Sequence, residues 1–173
     1  MLLPIGRARR EAEVDDDPLA GFLACHARIR RFAEIAVKVA EHPEAPARDR
    51  AEAAEAVVRY FELALPLHVE DEEQSLAPRL VAHGDAAGLE AMRGEHVEIE
   101  ARLAALLPVF RAVAEAPERA ASPDLAATRA LADLLERHLQ LEEAVVFPAA
   151  RRLPDADLRA LPGELAARRT PRA

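Results

Sequence analysis

The chain has no tryptophan, one tyrosine and five phenylalanines among its 173 residues. Aromatic residues make up 3% of it, although 51% of its residues are hydrophobic. Its core must therefore be built from Leu, Val and Ala, the composition of closely packed helices. Only six glycines occur, and runs of Ala, Glu, Arg and Leu favour helix over sheet. One cysteine excludes an intrachain disulfide and suits a reducing cytoplasm. The formal net charge of -8 argues against a nucleic-acid partner, which would want a basic surface. Met1 to Ile5 is too short for a signal h-region, and the longest wholly apolar run, Leu103 to Phe110, is too short to cross a bilayer. The expected setting is cytoplasmic, with no membrane. A chain of this length suits one domain that buries roughly 70% of its unfolded surface.

Periodicity divides the chain into an arm (1–16), a bundle (17–153) and a short C-terminal helix with a tail (154–173). Asp17-Pro18 opens a first helix, whose apolar stripe is Leu19, Phe22, Leu23, Ile29, Ala33, Ala36, Val37 and Ala40, with His26 inside it. Pro43 and Pro46 end it. Asp49 and Glu52 offer a capping box for the second helix. Its stripe passes Val57, Phe61, Ala64 and Leu65 to His68, Glu72, Ser75 and Leu76, with a bend expected at Pro66. His83-Gly84-Asp85 reads as a stop and a start. The third stripe is Leu89, Met92, His96, Ile99, Leu103, Leu106, Phe110 and Val113, with a kink expected at Pro108. Ser122-Pro123 caps a fourth, with Leu131, Leu134, Leu135, His138, Leu141, Glu142 and Val145. Asp155 to about Ala167 forms an extra helix broken at Pro162-Gly163, and the Arg-rich end is a frayed tail.

His138-Leu139-Gln140-Leu141-Glu142-Glu143, closed by Pro148, repeats His68-Val69-Glu70-Asp71-Glu72-Glu73, closed by Pro78. Both read His-x3-Glu-Glu-x4-Pro, seventy residues apart, and His96-x2-Ile99 repeats His26-x2-Ile29 at the same offset. Positions four apart share a helix face, so each motif aims one imidazole and one carboxylate the same way. Four helices with short links pack as an all-α, up-down-up-down four-helix bundle. At roughly 1.5 Å per residue the four histidines come to one level within about a turn.

A single histidine on an apolar face is usually a packed core residue. Here four of six stand in the stripes, one per long helix. Burying four imidazoles and two carboxylates without partners would cost several kcal/mol per group, so the pattern points to metal. Ferritin-type Glu-x-x-His and the protease spacing His-Glu-x-x-His are both absent. A nitrogen-rich set with carboxylates able to bridge suits iron and leaves positions open for a small ligand. A di-iron enzyme and a metal-free helical interaction module are the alternatives from other classes.

One histidine, then His-x3-Glu-Glu-x4-Pro, a third histidine and a second His-x3-Glu resemble the hemerythrin, or HHE cation-binding, family over residues 17–153. The resemblance implies a bundle holding two non-heme Fe ions, with His26, His68, Glu72, His96 and His138 as ligands and Glu142 as second bridge. It implies as partner a small gas ligand, O2 or NO, or a role in iron handling or iron-sulfur cluster repair. The family's oxygen carriers have a histidine where this chain has Glu100, and their helix-four carboxylate would correspond to Glu143. Glu100 is thereby left as ligand, neighbour or ordinary surface acid. Cys25, one residue before His26, points about 100° away and is read as a small core residue.

Overall fold

The computed structural model describes residues 17–170. The arm at 1–16 and the last three residues of the tail lie outside the described residues. Among these there is no strand, and five helices form. Helix α1 is Ala20–Glu41. Helix α2 is one rod over 47–82, from Ala47–Arg59 through Ala77–Ala82. Helix α3 is Leu89–Glu115. Helix α4 covers 125–150, from Leu125–Leu141 to Phe147–Ala150, and α5 is Asp155–Arg169. Helix α1 packs on α2 and α4, and α3 packs on the same two, so sequential helices are neighbours joined by short links. That is the expected bundle.

The prolines act differently from expectation. Pro66 does not simply bend α2, and Pro78 and Pro148, which close the two motifs, lie inside their helices. In each case the preceding turn widens, over Tyr60–Ala64, Glu72–Leu76 and Glu142–Val146. The residue before each proline donates its N–H five residues back: Leu65 to Tyr60, Ala77 to Glu72, Phe147 to Glu142. A proline has no N–H and its ring presses on the carbonyl four residues back. One extra residue in the turn moves that carbonyl away and keeps the rod continuous. Pro108 and Pro162 are passed within α3 and α5, so the expected break at Pro162-Gly163 does not occur.

Several helix starts also move. Asp17 does serve α1, accepting the Leu19 N–H at 3.0 Å. Helix α2 begins at Ala47 behind Pro46, before the expected capping box, and Glu52 instead takes Arg48. Asp124, not Ser122, caps α4 by accepting the Ala127 N–H. Gly84 ends α2 at φ 74, but α3 waits for Gly88 at φ 80. The left-handed backbone at Gly88 suits glycine, and a Cβ there would also stand 3.2 Å from Val145.

Two apolar cores fill the bundle. One gathers Ile29, Val57, Phe61, Leu65, Ile99, Leu103, Phe110, Leu131 and Leu135. The other gathers Phe22, Leu76, Leu80, Leu89, Met92, Val146 and Phe147, closed by Leu161 and Leu165 of α5. His26 lies between Phe22 and Ile29, and His96 between Met92 and Ile99. The same holds for His68 between Leu65 and Leu76, and for His138 between Leu135 and Val146. A polar layer thus separates the two cores.

Candidate metal centre

All six expected residues, His26, His68, Glu72, His96, His138 and Glu142, are buried in that layer. The His-x3-Glu spacing falls on ordinary helix immediately before each widened turn, so the i, i+4 geometry is kept. His68 Nε2 approaches Glu72 Oε1 at 3.1 Å, and His138 Nε2 approaches Glu142 Oε1 at 3.0 Å. Each carboxylate uses its other oxygen across the bundle. Glu72 Oε2 meets His96 Nε2 at 3.2 Å, and Glu142 Oε2 meets His26 Nε2 at 3.0 Å. The rings pair as well, His26 with His68 at 5.2 Å between centroids and His96 with His138 at 4.7 Å.

Two overlapping groups result. His26, His68, Glu72 and Glu142 offer atoms within 4.8 Å of one another, and so do Glu72, His96, His138 and Glu142. Both glutamates belong to both groups. Besides His138 Nε2, seven inward atoms are His26 Nε2, His68 Nε2, His96 Nε2 and the four oxygens of Glu72 and Glu142. None has a hydrogen-bond partner, despite the close N···O approaches. Those approaches lack hydrogen-bond directionality: lone pairs face a common centre. Buried polar atoms are almost always satisfied, so this concentration marks a site for a cation.

The acids that follow Glu72 and Glu142 do something else. Glu143 accepts from His26 Nδ1 at 2.8 Å and Glu73 from His96 Nδ1 at 3.0 Å. Adjacent glutamates therefore grip both nitrogens of one ring on another helix. Arg30 holds Glu143 at 2.9 Å and Glu136 at 2.8 Å. Glu95, which sequence reasoning missed, accepts from His138 Nδ1 at 3.1 Å. The missed signal was its place beside His96 and one helical step around from it. An outer carboxylate of this kind fixes the tautomer, leaving Nε2 to face inward as a lone pair. Glu100 is exposed and outside both groups.

Electrostatics follow burial and proximity. Burial lowers His68 to about 3, with neighbouring imidazoles adding to the effect. Burial also lowers His96, partly offset by Glu73. For His138, burial is overcome by Glu142 and Glu95, which raise it. Burial raises Glu72 and the negative charge of Glu142 raises it further. Burial works the same way on Glu142, but the imidazoles of His138 and His26 prevail and hold it low. Two carboxylates this close share a proton when only protein surrounds them.

Beside the centre, Asp71 is fully buried and paired with Arg168 at 2.7 Å and Arg169 at 2.6 Å. Arg168 and Arg169, expected in a frayed tail, therefore anchor α5. Cys25 is buried, as expected, with Arg28 Nη2 donating to its sulfur at 3.1 Å. Between α2 and α3 a cleft of about 700 Å³ runs from Leu107 past Phe61, Leu65 and Ile99 to His96 and Glu73.

The family model for the hemerythrin HHE cation binding domain matches residues 17–150. Comparison with curated proteins finds no match. No helix among the described residues is long and apolar enough to cross a membrane.

Proposed function

Because the chain belongs to the hemerythrin HHE cation-binding family, we propose that His26, His68, Glu72, His96, His138 and Glu142 hold two non-heme iron ions. The proposed role of the centre is to bind or sense O2 or NO, or to handle iron, in the cytoplasm. The observation that carries this reading is the sharing of Glu72 and Glu142 between two otherwise separate pairs of histidines. The N···O approaches across the centre run from 3.0 to 3.2 Å, close enough for nitrogen and oxygen to be held by a common ion.

Two imidazoles with carboxylate oxygens favour iron over the harder, all-oxygen ions. Iron held by these residues would supply reversible one-electron chemistry to a small ligand. The protein's part is orientation and exclusion of water. Glu73, Glu143 and Glu95 hold three rings in one tautomer, and Phe147 stacks on His26 at 5.0 Å.

The test is a metal count on purified protein with optical spectra taken anaerobically, then under O2 and under NO. About two irons per chain and a spectrum that responds to gas are expected. One zinc per chain, with no iron uptake on anaerobic reconstitution, would remove the proposal. A second reading, a di-iron enzyme, draws support from the cleft that reaches His96. Its volume and apolar lining suit an organic substrate. Turnover with an added reductant distinguishes it from the first.

A further inference from the structure

The two halves of the centre are related by the seventy-residue offset, and the match is nearly complete. His26 corresponds to His96, His68 to His138, Glu72 to Glu142 and Glu73 to Glu143. The contacts correspond too, with each Glu-Glu pair gripping the histidine of the other half. Among the hydrogen-bond partners of the four ring Nδ1 atoms the correspondence fails at one place. Glu95 supports His138 Nδ1, and its counterpart seventy residues earlier is Cys25. A thiol in that place cannot supply a carboxylate. The ring it leaves unsupported is His68, whose Nδ1 is buried with no hydrogen-bond partner.

The difference extends to charge. Near His138 stands the Glu95 carboxylate. On the sulfur of Cys25 stand two guanidinium groups instead, Arg28 at 3.1 Å and Arg169 at 3.9 Å. One pair of imidazoles, His96 and His138, is thus oriented on both rings. The other, His26 and His68, is oriented on His26 alone, and nothing among the described residues sets which nitrogen of His68 carries its proton. An outer hydrogen-bond partner raises the basicity of a ligand imidazole and spares the ordering of its ring.

We infer that the two metal positions differ in affinity, and that the one between His26 and His68 is the weaker, filling second and emptying first. The inference rests on the two-ion reading above. It concerns equilibrium rather than speed, because His26 and His68 are at least as buried as the other pair. The protein would then keep one ion while exchanging the other with its surroundings.

Two ions sharing carboxylates repel, so unequal affinities alone would not establish the point. A crossed pair of variants does. Ferrous iron is titrated anaerobically into the full chain against a chelator of known affinity. Glu95→Gln touches only the His138 side, and Glu143→Gln only the His26 side. We expect Glu95→Gln to weaken the first equivalent, by roughly 10–100-fold. Glu143→Gln should weaken the second equivalent by a similar factor and leave the first unchanged. Unaltered melting of both variants without metal separates this from a folding defect. The reverse pattern, or no effect of Glu95→Gln on the first equivalent, overturns the inference while the two-ion reading stands. Uptake of one ion or none by the unmodified protein overturns the two-ion reading itself.

Discussion

Glu143 holds His26 by Nδ1 at 2.8 Å, while Glu142, its neighbour in sequence, meets Nε2 of the same ring at 3.0 Å. Two consecutive acids thus take opposite sides of one imidazole, and their substitution should differ in kind. Glu142→Ala and Glu72→Ala should each prevent loading of two ions. Glu143→Ala and Glu73→Ala should still load two, with affinity lower by roughly 10–100-fold. Metal stoichiometry under saturating iron, followed by dilution into chelator, distinguishes the classes. If Glu143→Ala emptied the site while Glu142→Ala retained both ions, the helix-four assignment would be reversed.

Metal that binds only the folded chain should stabilise it. At free iron one hundred times Kd the gain is about 2.7 kcal/mol, or roughly 5–10 °C in a chain of this size. Chelator should remove it, with amide exchange rising first around His68, which follows the widened turn at Tyr60–Ala64. Superimposable melting curves with and without chelator would count against an ion at this layer.

Helix α5 should be held by its final turn. Asp71 is buried between Arg168 and Arg169, so replacing both arginines by alanine leaves an uncompensated carboxylate. The expected cost is roughly 3–5 kcal/mol. Asp71→Asn, which removes the charge with the shape, should cost less. Urea unfolding of the three proteins measures the order, and no loss in the double alanine variant would show the pair to be dispensable.

The same helix should loosen in acid. Hydrogen bonds from Arg79 and Ser75 hold Glu164 below its ordinary value of 4.5. The unfolded chain therefore takes up this proton at higher pH than the folded one. The stabilisation is complete above about 4.5 and is lost as pH falls through the folded pKa. Hydrogen exchange in residues 155–169 should rise over that range. In Glu164→Gln the step should vanish; an unchanged profile in that variant would assign it to another group.

Much of the fold and of the centre was legible because both are written in short-range periodicity. The stripes of His26, His68, His96 and His138 place one imidazole per helix, and a four-residue spacing places each glutamate beside its histidine. The offset of seventy then selects Glu142 over Glu143, as the geometry does. What could not be read is of two kinds. Arg168 and Arg169 reach Asp71 across 97 and 98 residues, and no local pattern marks such a pair. The response of a helix to proline depends on what its neighbours hold fixed. Pro66, Pro78 and Pro148 sit in rods clamped at both ends by core side chains, so the turn widens rather than stops. The turn before Pro148 widens, yet it is Glu142, not Glu143, that faces the other ligand candidates.

The widened turns also settle how one face of α2 stays inward along its length. Its buried positions include Val57, Phe61 and Leu65, then His68, Glu72, Leu76 and Leu80, mostly four residues apart. On a regular helix each step of four overshoots a full turn by about 40°, so that seam would wind around the rod and out into water. A turn that holds an additional residue absorbs the overshoot where it accumulates. Pro66 and Pro78 thus mark phase correctors for the hydrophobic seam of α2. Were the turn at Glu72–Leu76 regular with the same residues, everything beyond it would rotate by about 100°, carrying Leu80 out of the second core while leaving His68 where it is.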